Sequence, residues 1–263
     1  MSSGKSTSFS GRQGVKEARR LLDSGAVELL SLDIFDTLLL REWSSELERF
    51  EEAAVFQRRR FPGIPERDLY EARALAHRLA YQSVPPVQGC REASAERIFT
   101  VMAQILGLPA DAVPALMEEE LDYEAAHLRP NPVILDLAAT ARKREIPVIA
   151  VSDMDWGGKA LSSLLERLLP EAGMIRKVYS SSDFGVSKAS GKLFDHVLRE
   201  TGCSPEKILH AGDDMQADFL APCAEKGIRC LRLPRSVLYR RFCRFGQERR
   251  RKLLHERNIL HGL

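Results

Sequence analysis

A stretch that stays apolar where a one-sided strand would alternate sets the fold of this chain. The segment "AVELLSLDIF", residues 26–35, reads as a continuous strand of the kind expected when helices cover both faces of a sheet. Similar runs recur as "IPVIAVSD", "RKVYSSSD", "KILHAGDD" and "IRCLRL". Between and before them lie stretches with apolar residues every three to four positions: Val133 to Arg144, Lys159 to Leu169, Leu193 to Glu200 and "MQADFLAPCAEKG". A further short helix, Gln13 to Ser24, precedes the first strand and is closed by Gly25. Strands alternating with helices require right-handed crossovers and a parallel sheet.

One block breaks the alternation. From Ser44 to about Leu128 no strand pattern appears, and "SSELERFEEAAVFQRRR", "ERDLYEARALAHRLAYQS", "EASAERIFTVMAQILGL" and "AVPALMEEELDYEAAHL" all carry helical spacing with Pro and Gly between them. The pattern predicts an α/β fold, a Rossmann-like doubly wound parallel sheet with an inserted all-helical domain. The expected boundaries are 1–41 and 130–235 for the discontinuous α/β core, 42–129 for the insert, and 236–263 for a basic amphipathic helix or tail.

Composition closes off several classes. With 263 residues, 44% hydrophobic and 29% charged, the chain can bury a core, and a net charge of only +2 gives no overall attraction to nucleic acid. The five cysteines form no CxxC pair and are odd in number, which fits a reducing cytosol rather than a disulfide framework or a zinc site. "HERNILH" has the wrong spacing for an HExxH zinc motif. No apolar run is long enough to span a bilayer, and "MSSGKSTSFSGRQG" lacks the apolar centre of a signal peptide. The "GKST" within it has no upstream glycine and no preceding strand, so the segment is read as a disordered start rather than a phosphate loop.

In an open parallel sheet, chemistry collects at the carboxyl ends of the strands. Here those ends carry Asp33; Ser152 with Asp153; Ser181 to Asp183 leading to Lys188; and Asp213 with Asp214 and Asp218. Taken singly, Asp and Ser after strands are common turn and cap residues, and a lone lysine reads as a solvated one. Together, acids, a hydroxyl and a lysine on one edge are what metal-assisted phosphoryl transfer requires. A carboxylate attacking a phosphate meets repulsion of roughly 4 kcal/mol per pair of unit charges at about 4 Å and an effective dielectric near 20. A divalent cation and a lysine offset it.

These residues resemble the haloacid dehalogenase-like superfamily of Asp-nucleophile hydrolases. "LDIFDTLL" resembles its first motif, which implies Asp33 as nucleophile and Thr37 as a phosphate-binding hydroxyl. "IAVSD" resembles the second and implies Ser152, with Asp153 beside it in substrate binding. "KASGKLF" resembles the third and implies Lys188, with Lys192 as competitor. "HAGDDMQAD" resembles the fourth and implies Asp213 as a metal ligand, with Asp214 and Asp218 as supporting acids. The resemblance implies Mg²⁺ held by Asp33, Asp213 and the backbone carbonyl of Phe35. It also implies that the helical insert is a cap that closes over the sheet edge and selects the substrate. Arg129 and Trp156 are candidates to face the substrate, with hinge packing the favoured reading. The combination of motifs looks like a subgroup found beside or fused to bacterial glycosyltransferases of surface polysaccharide synthesis.

The chain departs from the family two residues after Asp33. Phosphatases of this kind carry a second Asp there, which protonates the leaving oxygen and then activates water; here the residue is Phe35, and Asp36 stands where glycine is usual. The favoured expectation is a Mg²⁺-dependent phosphatase or phosphotransferase acting on a small phosphorylated metabolite, a sugar or polyol phosphate if the polysaccharide link holds, with Asp36, Asp153 or Asp155 in place of the missing acid. A catalytically silent docking module and a dehalogenase are the alternatives, and the retained "GDD" weighs against the latter.

The basic excess is concentrated near the C-terminus, where residues 235–263 hold nine Lys/Arg against two Glu. Val237, Leu238, Phe242 and Phe245 fall at helical spacing there, followed by "ERRRKLLHER". Self-docking, a partner protein or glycosyltransferase domain, and a peripheral membrane contact all fit; the reading adopted is self-docking for the first half and a partner for the second, with no nucleic-acid role.

Overall fold

The computed structural model describes residues 8–169, 171, 173–257 and 259. The "GKST" segment lies outside them. The chain divides into two compact units: residues 1–40, 86–92 and 129–235, and residues 41–85, 93–128 and 236–263. The loop 86–92, expected in the insert from sequence, thus falls with the first unit, and the C-terminal helix with the second.

The first unit is a six-stranded, all-parallel sheet of order β1-β8-β7-β2-β5-β6. Its strands are β1 (Ser8–Ser10), β2 (Leu29–Leu32), β5 (Val148–Ser152), β6 (Lys177–Ser180), β7 (Ile208–Gly212) and β8 (Arg229–Arg232). Every residue of β2, β5 and β7 is buried, as strands covered on both faces must be. The helices of this unit are α1 (Gly11–Asp23), α6 (Pro132–Lys143), α7 (Gly158–Leu168), the one-turn α8 (Ser181–Phe184) and α9 (Lys192–Thr201). From β2 the chain builds outward through β5 to β6, then returns past β2 to lay down β7 and β8. The order therefore reverses between β2 and β7, the point where strand ends diverge and ligands bind in such sheets.

Three elements differ from the sequence expectation. The disordered start expected from sequence does not hold over Ser8–Ser10, which form an edge strand parallel to β8. Three residues with one apolar side chain offer no periodicity to read. The first strand ends at Leu32, and the chain then turns through Asp33 to Leu38, with Leu39 N–H donating to the Ile34 carbonyl at 2.8 Å. The segment Gln216–Glu225 is a widened, π-type helix rather than an α-helix, with Leu220 N–H bonded to the Met215 carbonyl at 2.9 Å. Pro222 lies inside it; lacking an N–H, it cannot continue an α-helical ladder.

A second, two-stranded sheet joins β3 (Leu39–Arg41) and β4 (Leu128–Pro130), where the chain passes into and out of the helical insertion. The second unit contains α2 (Glu46–Arg60), α3 (Glu66–Ser83), α4 (Ala95–Ile105), α5 (Val113–His127) and α10 (Val237–Glu256). Ser45 and Glu48 form a capping box at the start of α2. At the centre of this unit Arg73 is 1% exposed and pairs with Glu120 at 2.8 Å, its guanidinium also lying 4.0 Å from the Phe50 ring centroid. Among the described residues, no helix is long and apolar enough to cross a membrane.

Candidate active site

The turn after β2 begins with Asp33, whose N–H still donates to the Ala211 carbonyl of β7 at 2.9 Å, so the strand geometry fixes the direction of its side chain. Lys188 reaches it from the loop before α9. Its Nζ donates to Asp33 Oδ1 at 2.5 Å, to the Val151 carbonyl at 3.3 Å, and pairs with Asp218 Oδ1 at 2.6 Å. Lys192 instead donates to the Gln88 carbonyl, which leaves Lys188 as the lysine at Asp33. One ligand atom each from Asp33, Asp213 and Asp218 lie within 4.8 Å of one another.

Burial sets the electrostatics of this group. It pushes the Asp33 carboxyl up to about 8, against the pull of Lys188 and with added repulsion from Asp218 and Asp213. It likewise pushes Asp213 up to about 7, helped by Asp218 and Asp36. For Asp218, burial is outweighed by Lys188 and by the hydrogen bond from His210, and its carboxyl lies well below the usual range. Desolvation would lower Lys188, but Asp218, Asp33 and Asp153 together hold it above the ordinary lysine range.

The remaining sequence-derived residues divide into those at the cluster and those that build it. Thr37 is fully buried, and its Oγ1 has no hydrogen-bond partner among the described residues. Its own carbonyl accepts from Asn131 Nδ2 at 2.9 Å, tying the turn to the start of α6. Ser152 closes β5 and is buried. Asp153 accepts the N–H groups of Lys188 and Ala189, so it shapes the loop that aims Lys188. Phe35 is buried beside Leu39, and Asp36 is ion-paired to Arg235 at 2.9 Å. Asp214 is exposed and accepts the N–H groups of Gln216 and Ala217, both at 2.8 Å, which is a cap for the π-type segment. Asp183 accepts Gly158 N–H at 2.7 Å and so caps α7. Trp156 is buried and Arg129 exposed. Gly212 has no room for a side chain, because a Cβ there would lie against Asp218.

Sequence reasoning missed three contributors. Ser31 and His210 are register partners on β2 and β7, with Ser31 Oγ 2.8 Å from His210 Nδ1. His210 Nε2 is 3.0 Å from Asp218 Oδ1. Burial lowers the His210 pKa, so the ring is neutral; the ionised Asp218 then requires the proton on Nε2, and Nδ1 accepts from the Ser31 hydroxyl. The available signal was two polar residues inside otherwise apolar strands. The third is Glu92, from the loop 86–92, whose carboxyl is raised by burial and by Asp153 and is hydrogen-bonded by Ser181. Its place in sequence, among the insert's helices, concealed its grouping with the sheet.

Residues 27–221 match a family model described as "Hydrolase: haloacid dehalogenase-like hydrolase". No curated protein sequence matched. Among solved structures, the fold is similar to a 2-haloacid dehalogenase from Pseudomonas syringae pv. Tomato DC3000, with 16% identity, 78% of this chain and 86% of that one covered, and a TM-score of 0.52. It is similar to the L-2-haloacid dehalogenase of Xanthobacter autotrophicus at 17% identity, 78% and 77% coverage and a TM-score of 0.50. CbbY from Rhodobacter sphaeroides, solved in complex with phosphate, gives 17% identity, 80% and 87% coverage and a TM-score of 0.50. At these identities the structures speak for the fold alone. The parallel sheet, the helical insertion that follows β2 and the match over residues 27–221 together make the chain a member of the haloacid dehalogenase-like hydrolases.

Proposed function

We propose that this hydrolase transfers the phosphoryl group of a small phosphorylated metabolite, with Asp33 as nucleophile. The observation that carries this reading is the packing of three buried or half-buried carboxylates, Asp33, Asp213 and Asp218, around one lysine. Ionised, the four groups hold two negative charges in excess, and burial resists that state. An all-oxygen donor set suits a hard divalent cation, so the residues fit Mg²⁺. Asp33, Asp213 and Asp218, with the Phe35 carbonyl, would hold it. When bound, the cation supplies the positive charge that lets one anion approach another.

The chain's own groups account for the rest. Lys188 orients Asp33 and balances its charge. A carboxylate oxygen of Asp33 bonds to phosphorus while the ester P–O bond breaks, and the Thr37 and Ser152 hydroxyls bind the phosphoryl oxygens. Phe35 has no proton to give the leaving oxygen and cannot activate the water that opens the aspartyl-phosphate. Of its three candidate replacements, Asp36 is engaged by Arg235 and Asp153 by two backbone N–H groups, while Asp155 is buried. Loss of such an acid/base group costs ~10²–10⁴-fold in rate. The activity expected is slow on alkoxide leaving groups, with a phospho-enzyme that persists long enough to favour an acceptor other than water.

A screen of phosphorylated metabolites with Mg²⁺, scored for phosphate release and for a phospho-enzyme mass shift, tests this. Both signals should vanish in Asp33→Asn. Phe35 is also the observation that favours a second reading, a docking module without turnover. Absence of any thermal shift with Mg²⁺ and beryllofluoride, on folded protein, would select that reading.

A further inference from the structure

Helix α10 buries only part of its apolar surface. One face packs within its own unit: Tyr239, Gly246 and Leu254 are buried, Gln247 Oε1 accepts Leu47 N–H at 2.9 Å, and a Cβ on Gly246 would strike the Glu48 carboxylate. Another face is open. Leu238 is 69% exposed, Phe245 67% and Phe242 47%. At ~100° per residue these three share an arc with Arg249 and Leu253 that spans about 80° of the helix. Trp43, 52% exposed, extends the strip sideways, its ring edge-on to Phe242 and Tyr239 at 5.7 and 5.8 Å.

The strip is bordered by cations. Arg241 and Lys252 lie along its free edge, Arg240, Arg244 and Arg251 beyond them, and all are exposed; the acids of the helix are Glu248 among them and Glu256 at its last residue, the latter 3.8 Å from Lys252. Tryptophan, phenylalanine and leucine along one arc of a helix, with Arg249 among them and arginine and lysine along its border, is a distribution suited to a helix lying in a membrane interface. The cationic border complements a surface of negative headgroups. The strip is a convex helix surface, which a fluid lipid surface accepts without needing a groove.

We infer that α10 with Trp43 is an interfacial docking surface for anionic phospholipid. Trp43, Leu238, Phe242 and Phe245 enter the headgroup boundary while Arg241, Arg244 and Lys252 meet lipid phosphates, their stems running along the interface. The proposal is independent of turnover at Asp33.

The test is co-sedimentation of the full chain with vesicles of phosphatidylcholine alone and of equal parts phosphatidylcholine and phosphatidylserine. Binding is expected on the mixed vesicles, weakening as salt is raised. Phe242→Ser with Phe245→Ser should lower it by at least about tenfold at unchanged circular dichroism, since two buried aromatic side chains are removed from the interface. Arg241→Glu with Arg244→Glu should lower it comparably. Failure of the folded chain to bind mixed vesicles overturns the proposal. So does equal binding to both vesicle types, or binding unchanged in the aromatic variant. Affinity for polyglutamate without affinity for vesicles would replace the lipid by an acidic protein, and dimerisation lost in Phe242→Ser would replace it by a second copy of the chain; either result overturns the lipid assignment.

Discussion

Arg235 Nη1 lies 2.9 Å from Asp36 Oδ1, and Asp36 takes a φ of +63°. The position next to Phe35 therefore keeps the left-handed backbone that glycine adopts without strain, although an aspartate occupies it. For a residue with a Cβ that conformation costs roughly 1–2 kcal/mol, less for Asp than for most. The ion pair accounts for its retention: the carboxylate is held by the segment following β8 rather than presented as a spare acid.

Asp36→Gly is accordingly expected to leave the urea midpoint nearly unchanged, because relief of the left-handed backbone offsets the lost ion pair. Asp36→Val should destabilise by at least ~1–2 kcal/mol. Turnover in Asp36→Gly should stay near wild type; a collapse of turnover with the fold intact would identify Asp36 as the acid.

Proton and metal compete for the cluster. Asp33 and Asp213 have folded-state pKa values raised to about 8 and about 7, so without metal the folded chain holds these protons when the unfolded chain has released them. Metal-free stability should therefore fall as pH rises from the ordinary carboxylate range toward about 8. Asp218 has the opposite sign, and its contribution is lost in acid. Mg²⁺ must displace the two protons, so its thermal stabilisation should be larger above about 8 than well below 7. An increment independent of pH would remove Asp33 and Asp213 from the ligand set.

Phe35→Asp should raise the rate on esters with poor leaving groups, by up to ~10²–10⁴-fold, and shorten the lifetime of the phospho-enzyme. Rates measured along a series of leaving groups of rising pKa should show a flatter dependence than wild type. No gain in any ester would mean that another group already supplies the proton.

In the helical unit, Arg73→Ala should cost about 3–5 kcal/mol, because the buried Glu120 loses the guanidinium that balances its charge. Arg73→Met together with Glu120→Leu should recover much of that loss. Chemical denaturation of both variants checks the difference.

The strand–helix alternation determined the architecture by itself. Runs apolar on both faces suit a parallel sheet covered by helices, and four of the five carried an aspartate at or near their carboxyl end. The places of Asp33 and Asp213 at strand ends were legible for that reason, as was the helical insertion, whose spacing changes abruptly at Ser44. Local pattern could not decide which polar residues meet across the sheet. That Lys188 rather than Lys192 reaches Asp33, that Asp153 serves the Lys188 loop, and that Ser31 and His210 brace Asp218 all depend on strand order and register. The same holds for Glu92, which lies in the insert by sequence and with the sheet in space. Periodicity reports which face of an element is buried, whereas the pairing of buried polar groups is fixed only when distant elements are brought within hydrogen-bond distance.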